Sequence, residues 1–149
     1  MSFFKELWEN EWLITALIGW FAAQLLKIPI TLLVDKRFEL ARFWGSGGMP
    51  SSHSSFTVAL AVGIGITEGF NSAAFALAFV LAFIVMYDAA GVRRCAGEHA
   101  KTLNRVTEHL KLTENGEPYR RLKTLLGHTP VEVFGGAVLG TIIALIRHL

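Results

Sequence analysis

Apolar residues in this 149-residue chain are gathered into blocks long enough to cross a bilayer. Trp12 to Val34 holds about twenty-three residues with only Gln24 and Lys27 strongly polar, which at about 1.5 Å per helical residue gives about 34 Å. Trp8 and Trp12 suit an interfacial belt at its start. A second block, around Phe56 to Ile66, reaches spanning length only if its helix starts near Ser51 and ends near Glu68. The third, Ser72 to Ala90, is nearly continuous and rich in small residues. The fourth runs from Pro130 to Ile146 and carries Gly135, Gly136 and Gly140, a small-residue face of the kind that lets membrane helices approach closely. These blocks predict an all-α integral membrane bundle of about four spans (12–34, 51–68, 72–90, 130–146) as a single domain over 1–149. A soluble all-α domain using the same blocks as core helices is the rival fold.

The polar stretch 91–127 separates the third and fourth blocks. Val92, Ala96, Leu103, Val106 and Leu110 recur at three- and four-residue spacing, so an amphipathic helix is expected to leave the membrane there. Thr113 to Pro118 breaks it, a short helix is expected around Tyr119 to Leu126, and Gly127 reads as its stop. Lys36, Arg37 and Arg42 sit in the first connector, while Arg93, Arg94, Lys101, Arg105, Lys111, Arg120, Arg121 and Lys123 sit in the polar stretch. If every block crosses, eleven of the fourteen basic residues share one side, which the positive-inside rule makes cytoplasmic. Glu6, Glu9 and Glu11 occupy the place of a signal peptide's positive flank, so the first block is expected to stay in the mature chain.

Composition removes several classes. A net charge of +2, dispersed along the chain, gives no footprint for nucleic acid. The single Cys95 makes no internal disulfide, and no Cys/His spacing fits a structural zinc site. No metal or other cofactor is called for.

Two segments concentrate reactive groups, and both fall at helix starts that the topology puts on one face of the membrane: Gly47-Gly48-Met49-Pro50-Ser51-Ser52-His53-Ser54-Ser55 and Gly127-His128-Thr129-Pro130-Val131-Glu132. Helix N-termini present unpaired N–H groups and a partial positive charge, so a phosphate suits such a pair. Gly48 permits close backbone approach. Plainer readings stand beside this one. Thr129 to Glu132 forms a capping box, Ser51 or Ser52 serves as a simple N-cap, and Asp88 pairs structurally with Arg93 or Arg94. Lys27 snorkels along its helix, and His99, His109 and His148 are solvated.

Pro50-Ser51-Ser52-His53 resembles the Pro-Ser-Gly-His motif of the type 2 phosphatidic acid phosphatase superfamily, which includes vanadium haloperoxidases, and His128 to Gly140 resembles its last motif. With Tyr87-Asp88-Ala89-Ala90-Gly91-Val92-Arg93-Arg94, the chain is similar to the divergent bacterial and plant branch over nearly its whole length. The resemblance implies metal-independent hydrolysis of a phosphate monoester or diphosphate. By position, His128 is the implied nucleophile, Glu132 orients its ring, and His53 protonates the leaving oxygen and then activates water. Ser51, Ser52 and Gly48 would hold non-bridging oxygens, with Arg93, Arg94, Asp88, Lys27 and Arg42 as the substitute clamp. The chain departs from the superfamily at Leu122, where an arginine is usual, at Ser52 for glycine and at Glu132 for aspartate, and it lacks the first lysine-arginine motif. The implied substrate is a phosphorylated lipid taken from the bilayer, in a bacterial plasma membrane with the site on the cytoplasmic face. A homo-oligomer formed through the glycine faces is the expected assembly, and an inactive protein that keeps a head-group site is the alternative function.

Overall fold

The computed structural model describes residues 3–35, 48–111, 113–114, 117–124 and 126–149. Among the described residues, six helices carry the fold: α1 (Phe3–Glu9), α2 (Glu11–Asp35), α3 (Ser52–Glu68), α4 (Ala73–Ala90), α5 (Val92–His109) and α6 (Pro130–His148). The all-helical membrane bundle read from the sequence is the observed architecture. Three helical stretches, Glu11–Leu33, Ala73–His109 and Pro130–His148, are long and apolar enough to cross a membrane. At 17 residues α3 is shorter.

Helix boundaries follow from capping chemistry. Ser51 accepts from the Ser54 amide at the start of α3, and Ser72 accepts from the Phe75 amide at the start of α4. At the start of α6, Thr129 and Glu132 exchange side-chain to backbone bonds in a full capping box, with Pro130 in the first turn.

α3 is the central helix, packed by α2, α4 and α6. Its buried positions are almost all small: Ser52, Ser54, Ser55, Thr57, Ala59, Ala61, Gly63 and Gly65, beside Ile64. Small residues matter here because the backbones nearly touch. A Cβ on Gly136 of α6 would collide with the Ser51 carbonyl oxygen, and one on Gly140 would come within 2.5 Å of the Ser55 carbonyl oxygen. On the other side, the Ser55 hydroxyl donates to the Gly19 carbonyl at 2.8 Å. At the far end Trp12 Nε1 donates to Thr67 Oγ1 at 2.7 Å, tying the start of α2 to the end of α3. The glycine face expected to join two copies is therefore consumed inside one chain, because α3 offers the small partner surface that close approach requires.

The outer surface is apolar. On α4, Leu77, Phe79, Val80, Leu81, Phe83, Ile84 and Tyr87 are all exposed, as lipid contact demands.

The polar stretch differs from expectation at one place. The helix expected over 119–126 is absent from its described residues: Thr113–Glu114 (β1) and Glu117–Pro118 (β2) pair antiparallel, and 119–124 is irregular. The reason is a side chain distant in sequence. Asn104 of α5 donates to the Leu122 carbonyl at 2.9 Å and accepts from the Leu122 amide at 2.8 Å, occupying both groups a helix would use. Gly127 does not stop a helix either. It adopts φ +80° where the chain passes against the Arg93–Arg94 backbone, leaving no room for a Cβ. His148, read as solvated, meets Thr15 instead: Nε2 lies 2.9 Å from Thr15 Oγ1, whose own proton goes to the Glu11 carbonyl.

Candidate functional site

The two histidine segments meet. Ser51 donates its amide to the Glu132 carbonyl at 2.9 Å, joining the starts of α3 and α6 directly. Ser54 and Gly136 lie in contact just beyond, so the helices diverge little from that point. His53, in the first turn of α3, and His128, two residues before α6, are thereby brought to a ring-centroid separation of 5.7 Å at an interplanar angle of 75°.

His128 is held by its backbone: its amide donates to the Ala89 carbonyl at the end of α4 at 2.9 Å. Its side chain is 2% exposed, yet neither ring nitrogen has a hydrogen-bond partner among the described residues, and His53 Nδ1 is in the same condition. Buried polar atoms left unpaired are costly, so an imidazole in this state is poised for a group that the described residues do not supply. Burial, followed by the charges of His53, Lys27 and Arg93, pushes the His128 imidazole down to about 4, so it is neutral with a free lone pair near pH 7.

Cations surround the pair. Lys27 of α2 is 1% exposed and donates to Ser52 Oγ at 3.3 Å, so it is directed into the bundle and does not snorkel outward. Arg93 Nε donates to Asp88 Oδ2 at 2.6 Å, and both charges act on His53. Asp88 thus fixes the guanidinium across the α4–α5 junction, the structural pairing that the sequence offered.

Other expected residues are placed differently. Glu132 does not reach the His128 ring. Its carboxylate accepts from the Thr129 amide at 3.0 Å, because the capping box satisfies a helix-end donor three residues away. Its charge still reaches Lys27. The Ser51 hydroxyl is fully buried and already engaged by the Ser54 amide and hydroxyl. Gly48, at φ +94°, and Arg94 line a cleft of about 320 Å³ that opens beside His128. Arg42 lies outside the described residues. Lys101 and Glu98 on α5 also line this cleft, paired at 2.9 Å, and were not singled out in sequence. Their signal was helical spacing, since Lys101 falls two turns after Arg94 and so shares its face.

Such an arrangement, two imidazoles facing one another beside a buried ammonium and a fixed guanidinium, can receive an oxyanion and exchange protons with it. Comparison with known proteins points the same way at the level of family. The chain is 37% identical over 152 residues to the uncharacterized membrane protein YuiD of Bacillus subtilis (strain 168), covering 95% of this chain and 96% of that protein. No solved structure matches it. Residues 8–143 match the model of the divergent PAP2 family, which takes in every segment that forms the site, and the chain belongs to that family.

Proposed function

We propose that the protein is a membrane phosphatase that hydrolyses a phosphate monoester or diphosphate, carried by a lipid, through a phosphohistidine at His128. The observation that carries this reading is the buried His128 ring, unpartnered at both nitrogens and 5.7 Å from His53. A His128 ring nitrogen attacks phosphorus and the bond from phosphorus to the leaving oxygen breaks, while His53, which takes up a proton from the incoming phosphate monoanion, passes it to that oxygen. Water then attacks the phosphohistidine, His53 takes a proton from it, and inorganic phosphate leaves with His128 regenerated. Lys27 and Arg93 balance charge on the non-bridging oxygens, the largest contribution in phosphoryl transfer. Ser52, hydrogen-bonded to Lys27, completes the cradle, and Arg94 and Gly48 border the approach. The basic connector and polar stretch favour the cytoplasmic face for this site.

A second reading has one observation in its favour. Glu132 is held by the capping box, so the imidazole lacks the orienting carboxylate a nucleophile benefits from. In that reading the same cradle binds a phosphate head group without cleaving it. Purified protein in proteoliposomes, assayed on phosphatidic acid, phosphatidylglycerophosphate and prenyl diphosphates, separates the two. Catalysis predicts phosphate release that falls by about a thousandfold in a folded His128→Ala variant. Absence of release from folded protein that still binds phosphatidic acid establishes the second reading.

A further inference from the structure

α5 carries three distinct faces. Gly97 and Ala100 are buried, with Gly97 against the Thr124 and Leu126 carbonyls and Asn104 bound to Leu122, so one face packs on the returning chain. Arg94 and Lys101 form a second face, bordering the cleft beside His128. The third is an apolar stripe on one helical face: Val92, three turns before Leu103, and then Leu103, Val106 and Leu110 are 63%, 52%, 45% and 60% exposed. No described residue covers it.

Three observations say what does. The exposed apolar surface of α4, on which Ile84 and Tyr87 are 57% and 71% exposed, reaches to within five residues of Val92. The 18 residues of α4 span about 27 Å, close to the thickness of a hydrocarbon core, so α5 begins at the membrane surface. α5 carries four basic residues against two acidic ones, a balance that suits anionic head groups. A helix projecting straight into water would leave the stripe wet, whereas one lying along the interface buries it.

We propose that α5 is an in-plane interfacial helix, its Val92–Leu110 stripe set into the acyl boundary of an anionic bilayer surface while the Arg94–Lys101 face stays in the head-group layer. The cleft beside His128 then opens among the head groups of the leaflet in which α5 lies. The inference holds whether the site cleaves phosphate or only binds it.

The test is a nitroxide scan on full-length protein in vesicles of phosphatidylcholine and phosphatidylglycerol, in a Cys95→Ser background. Labels at Leu103→Cys and Val106→Cys should collide with oxygen severalfold more, relative to a water-soluble nickel complex, than labels at Lys101→Cys and Arg105→Cys. All four positions are exposed, so the substitutions leave the packing of the bundle alone. Equal nickel access at all four overturns the proposal in favour of a solvated helix. Protection from both reagents at 103 and 106, with spin–spin broadening that unlabelled protein dilutes away, overturns it in favour of a second copy.

Discussion

α3 and α4 are neighbours of nearly equal length that reverse the usual relation between hydrophobicity and burial. α4 is the more apolar, yet only Ala78, Ala82 and Ala89 are buried in it; α3, with serines, two threonines and glycines, buries nine of its 17 residues. In water the oily helix would be the core. In a bilayer the solvent is itself oily, so large apolar side chains gain little by leaving it, and close backbone approach together with hydrogen bonds between helices decides what goes inside.

That contrast yields predictions, of which the largest concerns volume. Gly136→Leu puts a side chain into the Ser51 backbone and should cost about 3 kcal/mol or more, abolishing the cooperative transition in detergent. A similar gain in size at exposed Ala76 of α4 should be nearly neutral, within about 0.5 kcal/mol. Equal effects at the contact with α3 and on α4 would break the comparison.

The buried polar end of the α3–α6 contact gives the next. His128 sits at about 4 in the folded protein against an ordinary 6.5, so below 6.5 the unfolded chain takes up the proton first. Its contribution to stability is therefore intact above pH 6.5 and is lost as pH falls towards 4. Melting temperatures across that window should decline in the native protein, and the slope should flatten in His128→Asn.

Smaller effects follow outside and within the core. Asn104→Ala removes both bonds to Leu122 and should cost about 1 to 2 kcal/mol, read as faster hydrogen exchange over 119–124 with the membrane helices unchanged. Ser55→Ala removes the bond to the Gly19 carbonyl and should cost about 1 kcal/mol, measured by the same unfolding transition as Gly136→Leu.

Local chemistry was readable in sequence where it acts over a few residues. The caps at Ser51 and Thr129, the apolar blocks and the meeting of the two histidine segments all arise from short-range patterns plus topology. What escaped depended on distant partners. Asn104 reaches eighteen residues to unmake a helix at Leu122, and Gly136 and Gly140 of α6 pack against the start and middle of α3. Lys27 is turned inward by Ser52, a contact no periodicity reveals. Glu132 illustrates a competition: the same carboxylate fits a capping box and a histidine partner, and the nearer donor wins.

Three ties hold the two imidazoles to the scaffold: Ser51 to Glu132, His128 to Ala89, and Lys27 to Ser52. Each links a different pair of segments, so together they act as a truss spanning α2, α3, α4 and the entry to α6. A thicker or thinner membrane, met by tilting, should reorient this truss as one piece. Acyl-chain length would then tune how deep the cleft beside His128 lies in the leaflet, while the spacing between the two imidazoles stays constant.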